Sequence, residues 1–340
     1  MNDAVPPSRG KRSHFWIRVA TTLFAAWLLT VAVLMFWWDH EPPGFDVLKS
    51  AQKASADGKR PMVVGSVMTH TLVRVARTLT DKRGGYLSND LLPPGAIMDN
   101  VPNWEFGALT QVRDFAKAFR NEFSRSQTQS TEDKDLQEAD PLFSSANDRW
   151  ILRSTESQYR QANEHIEAYL ARLTDADEYN AQFYARADNL ADWLAIVEKR
   201  LGSLSQRLSA SVGQVRIDTD LGGDANAQQS TPAPSPQLVH TPWSEIDDVF
   251  YEARGSTWAL LHFLRAVEHD FEPVLRDKNA LISLRQIIRE LEETQHGLGS
   301  PMVLNGSPFG FFANHSLVMA NYISRANAAI IDLRRLLERG

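Results

Sequence analysis

Hydrophobic residues are distributed along the chain in two ways, first as one continuous run and then as a helical repeat. The continuous run, Val19 to Trp38, contains twenty residues and no charge. A helix rises about 1.5 Å per residue, so this run spans roughly 30 Å, the thickness of a bilayer's hydrocarbon core. Trp16 precedes the run and Trp37 and Trp38 close it, which is typical of membrane–water interfaces. The pattern predicts one transmembrane helix over residues 19–38.

The positive charges that flank this predicted helix lie mainly on its N-terminal side. They are Arg9, Lys11, Arg12 and Arg18. Residues 39–58, which follow the helix, contain only two lysines. Because cytoplasmic flanks are enriched in Lys and Arg, residues 1–18 are predicted to be a cytoplasmic stub, with Arg18 extending toward the headgroups. A cleaved signal peptide is the competing interpretation, but its apolar core is usually shorter and small residues precede its cleavage site, unlike Trp37-Trp38-Asp39-His40.

Beyond residue 38 the apolar residues recur at alternating spacings of four and three, which predicts helices packed lengthwise against one another. Four segments carry such a stripe: Met68 to Leu79, Leu190 to Leu208, Ile246 to Phe271 and Met319 to Leu337. Shorter helices are expected around residues 102–124, 156–173 and 279–294. The expected fold class is therefore all-α: a single N-terminal transmembrane helix followed by an antiparallel multi-helix bundle with long, coiled-coil-like helices.

Polar and Gly/Pro-rich stretches divide the part of the chain that follows residue 38. Residues 218–240 are rich in Gly, Ala, Gln, Ser and Pro, so they are predicted to be a flexible loop between the first half of the bundle, 39–217, and the second half, 241–340. The acidic stretch Arg125 to Asp140 is expected to be loosely ordered. Pro42-Pro43-Gly44 is expected to disconnect the membrane helix mechanically from the bundle.

Composition narrows the range of functions. The 340 residues include no cysteine, which excludes disulfides, thiolate metal sites and thiol nucleophiles. Four of the 36 basic residues but only one of the 42 acidic residues lie in residues 1–38, so the remainder carries a net charge of −9. No basic block suited to a phosphate backbone remains there, and we expect no nucleic acid partner.

Two predicted loops, 84–103 and 297–314, combine Gly and Pro with large apolar side chains. Burying such side chains stabilises by about 25 cal/mol per Å² of apolar surface, so both loops must cover something. Either they close the ends of the bundle, or they form a surface for a partner. The candidate partner-binding residues are Tyr86, Leu91, Leu92, Ile97, Met98, Trp104, Phe309, Phe311, Phe312 and His315.

These loops, together with GSLSQRLSASVGQ at 202–214, DDVFYEARG at 247–255 and NHSLVMANYISRANAAIIDL at 314–333, carry a family resemblance. Over most of its length the chain resembles a bacterial family known as domain of unknown function family 2333. The resemblance implies a bacterial inner-membrane protein with a periplasmic domain. It implies no activity, cofactor or catalytic residue.

Metal and nucleophile motifs are incomplete in this sequence. A di-iron helical bundle needs two Glu-x-x-His pairs, and only Glu293 with His296 has that spacing. The acidic segment 218–224 lacks the glutamate that ends a calcium-binding loop. Ser50 and Lys53 match Ser-x-x-Lys, but the Lys-Thr-Gly that accompanies it in penicillin-binding enzymes is missing. We therefore expect no metal and no cofactor.

The leading hypothesis is a non-catalytic interaction or scaffold protein of the bacterial cell envelope, anchored in the bilayer and docking an envelope protein through the two apolar loops. One alternative is an envelope hydrolase that uses a carboxylate pair among Asp90, Asp99 and Glu105. The other is a periplasmic ligand-sensing module, which the short stub and the uncoupled anchor disfavour. A homo-oligomer remains open, because the apolar stripes can be satisfied within one chain or between two.

Overall fold

A computed structural model describes residues 10–58, 60–126, 130–175, 180–216, 237–300, 302–308 and 310–339. Within this part of the chain the architecture is a helical bundle preceded by one long apolar helix. The α helices are α1 Gly10–Trp38, α2 Val47–Asp57, α3 Ser66–Asp81, α4 Asn100–Ala118, α5 Lys134–Phe143, α6 Thr155–Leu173, α7 Ala187–Ser209, α8 Ile246–Asp270, α9 Glu272–Asp277, α10 Leu281–Glu293 and α11 His315–Glu338. One π-helical turn, Phe119–Phe123, extends α4. The predicted all-α fold class is confirmed.

A small hairpin interrupts the helical architecture between α7 and α8. Strand β1, Gln214–Arg216, pairs antiparallel with β2, Gln237–Val239. The predicted flexible loop at 218–240 is wrong for its last part, because β2 is paired. Residues 217–236 lie outside the described residues.

The apolar stripes predicted from the sequence face the core. Leu72 on α3, Leu201 on α7, Leu260 on α8 and Ile330 on α11 have no solvent-exposed surface. Helix α1 behaves differently, since its apolar side chains, such as Leu29, are mostly exposed. Its stretch His14–Trp38 contains an 18-residue window with a mean hydropathy of 2.2 and is long and apolar enough to cross a membrane.

Two glycines allow α4 and α8 to cross in backbone contact. A Cβ on Gly107 would lie 1.9 Å from the carbonyl oxygen of Glu252, and one on Gly255 would lie 1.9 Å from that of Trp104. Farther along the pair, Phe115 stacks on Phe263 with ring centroids 4.1 Å apart. Residue numbers rise together on the two helices, so α4 and α8 run parallel.

The helices that pack around this pair are antiparallel to the helices they contact. The N-terminus of α3 meets the C-terminus of α8, where the amide of Met68 donates to Asp270 at 2.7 Å. Similarly, α10 is antiparallel to α8 through Arg285–Glu268 and Gln295–Thr257 contacts. Helix α11 is antiparallel to α10, as the contacts Arg325–Glu290 and Arg339–Lys278 show. It is also antiparallel to α7, as the contacts Arg334–Glu198 and Ser324–Ser205 show.

These directions place several loops at one end of the bundle. The connections 82–99, 144–154 and 294–314 and the start of α8 all lie there, at the end where α1 also terminates. A Cβ on Gly84 would lie 2.8 Å from the Trp38 ring, which fixes the position of α1's last residue. We call this region the α1 end. Both predicted apolar loops belong to it.

Three α helices were not predicted, namely α2, α5 and the six-residue α9. Helix α2 is short and largely polar. Helix α5 lies partly in the stretch Arg125 to Asp140, which was expected to be loosely ordered. That expectation is wrong for residues 134–140, because Leu136, Ala139 and Phe143 form a buried face against α6, and Asp133 caps the helix. Residues 127–129 lie outside the described residues.

Candidate functional site

The segment that joins α1 to α2 is bound to the bundle. The carboxylate of Glu41 forms a two-pronged ion pair with the guanidinium of Arg254 on α8. Four residues later, the backbone amide of Phe45 donates to His262 Nε2 at 3.0 Å. The prediction that Pro42-Pro43-Gly44 disconnects α1 is therefore wrong. These residues lack helical hydrogen bonds, but their neighbours on both sides are tied to α8.

Arg254 connects this segment to the second apolar loop. Its side chain is buried, with 7% exposed, and its Nη1 also donates to the carbonyl oxygens of Thr294 and His296, at 3.3 and 2.7 Å. A buried guanidinium needs its donors satisfied, and here one carboxylate and two carbonyls do so. Arg254 thus fixes both the exit from α1 and the start of the 294–314 connection.

His262 is held neutral at this contact. Its Nδ1 lies 2.7 Å from the Trp258 carbonyl oxygen, so the proton on Nδ1 is donated there and Nε2 accepts from Phe45. Burial lowers the pKa of His262 to about 4, and the positive charges of Arg265 and Arg74 act in the same direction. The neutral imidazole is the form that this hydrogen-bond arrangement requires.

The first apolar loop is organised around the buried carboxylate of Glu105. Lys82 Nζ lies 2.5 Å from that carboxylate, and the amides of Leu87 and Ser88 donate to it at 2.9 Å. Burial raises the pKa of Glu105, and the ammonium of Lys82 opposes this. An α4 side chain therefore holds the start of this loop from the inside. Farther along the loop, Leu91, Leu92 and Ile97 are exposed.

The candidate residues of this loop divide into two groups. Tyr86 and Trp104 are core residues, with 3% and 0% of their surface exposed, so their predicted place on a partner surface is wrong. Tyr86 packs edge-on against Tyr159, and Trp104 lies against Trp258. Three others project into solvent: Leu91, Leu92 and Ile97 are 58%, 77% and 57% exposed, and Met98 is partly exposed.

The second apolar loop is ordered by hydrogen bonds between its two arms. Asn305 and Asn314 form an isolated antiparallel bridge, and the amide of Leu304 donates to His315 Nδ1 at 2.9 Å. Asn314 also caps α11 through the amide of Leu317. On this frame Phe311 is 97% exposed and Phe312 68% exposed. Phe309 lies outside the described residues.

A groove of ≈780 Å³ lies beside these two phenylalanines. It is lined by the loop, by Ser209 at the end of α7, and by α11 from Leu317 to Ser324. A smaller cavity of ≈200 Å³ lies on the other side of α11 and is lined by Arg254, His296 and His315. The partly buried His315 has its pKa lowered by burial.

The carboxylates proposed for a hydrolase do not form a pair. Glu105 has no exposed surface and is engaged by Lys82 and the 87–88 backbone, so its role is structural. Asp99 accepts from the amide of Asn100 at the start of α4. Burial raises the pKa of Asp90, and the negative charge of Glu156 raises it further. Within the described residues no group of three or more His, Asp or Glu side chains is arranged to hold a metal ion.

Comparison with known proteins places the chain in a family. A family model described as an uncharacterized protein conserved in bacteria (DUF2333) matches residues 10–340. The chain belongs to this family. The match extends from α1 through α11, so the apolar helix and the bundle are both parts of what the family shares. Searches of curated proteins and of solved structures give no match.

Sequence reasoning missed three features of the α1 end. The Glu41–Arg254 and Phe45–His262 contacts join residues 213 and 217 positions apart, and no local pattern signals them. The third is the exposed triplet Trp150-Ile151-Leu152, which has a visible signal: three large apolar residues between Arg149 and Arg153 in an otherwise polar stretch.

Proposed function

We propose that this protein is a non-catalytic docking protein of the bacterial cell envelope, anchored in the inner membrane by α1, with residues 1–18 in the cytoplasm and the bundle in the periplasm. The exposed apolar surface of α1 supports the anchor, since a helix of this kind is stable in lipid and costly in water. The excess of Lys and Arg before α1 supports the orientation.

Single cysteines test this orientation, because the natural chain has none. Ile282 on α10 is 78% exposed, so the variant Ile282→Cys presents a reactive thiol without disturbing the core. We expect a membrane-impermeant maleimide to label it in cells whose outer membrane alone has been permeabilised. The matched variant Ser8→Cys is expected to react only after the inner membrane is lysed. The reverse labelling pattern would contradict the proposal.

The docking surface that we propose is the groove beside Phe311 and Phe312, together with these two rings. The observation that carries it is the 97% exposure of Phe311 on a loop whose backbone is fixed by hydrogen bonds. If the loop were flexible, it would fold so that this apolar ring is buried against the protein's own surface. An apolar side chain held in the open by an ordered loop is typical of a binding site.

A protein partner suits this groove. Along α11 the lining extends from Leu317 to Ser324, about 10 Å along the side of the bundle. Its walls include polar groups of Ser209, Asn321 and Ser324 beside the apolar rings. Protein interfaces combine an apolar centre with such polar groups at the margin.

Photo-crosslinking tests the docking surface in cells. A crosslinker at Val318, which is 54% exposed on the groove wall, is expected to capture an envelope protein, and the double variant Phe311→Ser/Phe312→Ser is expected to abolish capture. Ile282→Ser is the control, since it also removes an exposed apolar side chain. Undiminished capture by the double variant with an unchanged circular dichroism spectrum would contradict the proposal. Capture of a second copy of the chain would instead make the groove an oligomer interface.

A ligand-sensing module is the second candidate, and one observation favours it. Glu41 and Phe45 connect the end of α1 to α8, which gives a path by which a change in the bundle would reach α1. On this candidate, α1 passes the change to an output partner within the membrane. A crosslinker at Leu29, exposed on α1, would support this candidate by capturing a membrane-embedded signalling protein.

A further inference from the structure

Exposed apolar side chains of the bundle are concentrated at the α1 end. Outside α1, ten of the fifteen large apolar residues that are exposed within the described part of the chain lie on the loops of that end or at the start of α8. Six of them form two tips: Leu91, Leu92 and Ile97 on one, and Trp150, Ile151 and Leu152 on the other. In water this arrangement is costly, so the tips require an apolar neighbour.

The first tip lies beside α1 itself. A small cavity of ≈160 Å³ is lined by Met35, Phe36 and Asp39 on one side and by Ile97, Met98, Asp99 and Asn100 on the other. Met35 precedes Trp38 by three residues, or roughly 4.5 Å along the helix axis. If α1 crosses the bilayer with Trp38 at the interface, then Ile97 lies at the depth of the last apolar turn.

The second tip is attached to the first. Asn89 Nδ2 donates to the Arg149 carbonyl oxygen at 2.8 Å, which joins the two loops directly before residue 150. Leu152 has a φ of 49° and Arg153 a φ of 66°, a left-handed backbone that costs a residue with a Cβ. That strained turn leaves Leu152 87% exposed. The chain thus holds a leucine outward in a conformation that leucine disfavours.

Basic residues frame both tips. Arg149 and Arg153 flank residues 150–152, are exposed, and have no carboxylate partner among the described residues. Beside the first tip, the exposed Arg83 lies over the Trp37 ring at 5.3 Å. Apolar tips bordered by arginine and tryptophan are typical of surfaces at the boundary between acyl chains and phosphate groups.

We infer that the α1 end is a second membrane contact, and that its occupant is the lipid leaflet into which α1 enters. The membrane face consists of Leu91, Leu92, Ile97 and residues 150–152, which insert shallowly beside α1, with Arg83, Arg149 and Arg153 at the depth of the phosphates. This inference rests on the proposed membrane anchor. It also sets the orientation of the bundle relative to the membrane. The groove at Phe311 lies near the membrane surface, and α11 extends away from it.

Quenching of a fluorophore by lipid tests the membrane face. The full chain, carrying one cysteine labelled with an environment-sensitive dye, is reconstituted in phosphatidylethanolamine–phosphatidylglycerol vesicles that contain a spin-labelled lipid. The test positions are Leu92→Cys and Ile151→Cys. Leu28→Cys within α1 reports the anchor, and Ile282→Cys is the matched control, since Ile282 is 78% exposed and Leu92 is 77% exposed.

We expect dyes at positions 92 and 151 to be quenched roughly threefold more strongly than the dye at 282, because shallow insertion places them about 5–10 Å inside the headgroup boundary. Quenching at 92 and 151 equal to that at 282, with strong quenching at 28, would overturn the membrane face and leave the anchor intact. Absence of quenching at 28 would overturn the proposed anchor and the inference with it. Because the vesicles contain no other protein, quenching cannot arise from a protein partner.

Discussion

The ring of Phe45 stacks on the imidazole of His262, with centroids 4.1 Å apart, and the backbone amide of Phe45 donates to the same imidazole. The guanidinium of Arg74, on α3, lies over the Phe45 ring, with its Cζ atom 4.0 Å from the ring centroid. The chain leaving α1 is therefore held against α3 and α8 seven residues after Trp38. These contacts fix the bundle relative to the end of α1. The proposed docking surface needs such a fixed attachment if it is to stay at a constant height above the proposed membrane.

The His262 contact predicts a pH dependence of stability. In the folded protein the pKa of His262 is lowered to about 4, whereas an unperturbed histidine titrates near 6.5. A lowered folded-state pKa contributes stability that is present above pH 6.5 and is lost as the pH falls toward 4. At about 1.4 kcal/mol per pKa unit, the loss across this window is ~3 kcal/mol. Thermal unfolding of the full chain between pH 4 and 8 measures it.

The matched variant is His262→Gln, whose side-chain oxygen accepts from Phe45 without titrating. We expect the difference in melting temperature between the natural protein and this variant to change over pH 6.5 to 4, with the natural protein losing more. Other groups, including His70, whose pKa burial also lowers to about 4, contribute equally to both proteins. Parallel pH profiles would refute the assignment.

A second prediction concerns the ion pair between Glu41 and Arg254. The substitution Glu41→Gln leaves a buried guanidinium without its carboxylate, and we expect it to lower the free energy of unfolding by about 1–3 kcal/mol. The matched control is Glu272→Gln, which breaks the exposed Glu272–Arg276 pair on α9 and is expected to have a much smaller effect, because solvent screens an exposed pair. Denaturation by urea measures both. Equal effects of the two substitutions would show that Arg254 does not depend on Glu41.

Local patterns in the sequence predicted the helices but not what ties them together. The stripes of α3, α7, α8 and α11 were visible because burial repeats along each helix with a period that the sequence displays. Helix α5 was not predicted, because the acidic residues on its outer face indicated a loosely ordered stretch. Its apolar residues Leu136, Ala139 and Phe143 nevertheless have helical spacing. The attachment of residues 41–45 depends on α8, more than two hundred positions away, and a local reading of Pro42-Pro43-Gly44 predicted the opposite.

The candidate site was predicted in part for the same reason. Composition identified Leu91, Leu92 and Ile97 as apolar residues on a loop, and the structure shows them exposed. Composition alone gave no means of separating them from Tyr86, which the loop folds inward around Glu105. That both apolar loops meet at the end where α1 terminates follows from the directions of the helices, which is information about topology.

The crossing of α4 and α8 gives a third prediction. A methyl group on Gly107 would overlap the carbonyl of Glu252, and backbone on both helices leaves no room for it to relax. We expect Gly107→Ala to destabilise by about 3 kcal/mol or more, through separation of the two helices. Gly202→Ala on α7 is the matched control, because a Cβ there would make ordinary contact with Asn327 at 3.5 Å.

In that control the methyl group adds helix propensity without a clash, so Gly202→Ala is expected to be neutral or to stabilise by up to about 1 kcal/mol. Chemical denaturation of both variants gives the two free energies. If Gly107→Ala unfolds at the same denaturant concentration as the natural protein, the helices are not in backbone contact.

Asp270 gives a pH dependence of the opposite sign. It is buried at the meeting point of α3 and α8, and its carboxylate accepts from the amide of Met68 at 2.7 Å. Burial raises its pKa to about 7, although the amides of Met68, Gly65 and Val67 oppose the shift. Because the folded-state pKa is raised above the usual 3.8, the stability that Asp270 contributes is fully present below about pH 4 and is lost as the pH rises through 7.

The variant Asp270→Asn isolates this contribution, since the amide oxygen still accepts from Met68 but nothing at the site ionises. We expect the natural protein to lose up to about 1.4 kcal/mol per pH unit relative to Asp270→Asn between pH 4 and 7. Urea unfolding at pH 5, 6, 7 and 8 measures the difference, which should level off above pH 7. A difference that stays constant over this range would mean that Asp270 is ionised throughout, with the α3 amides outweighing the cost of burial.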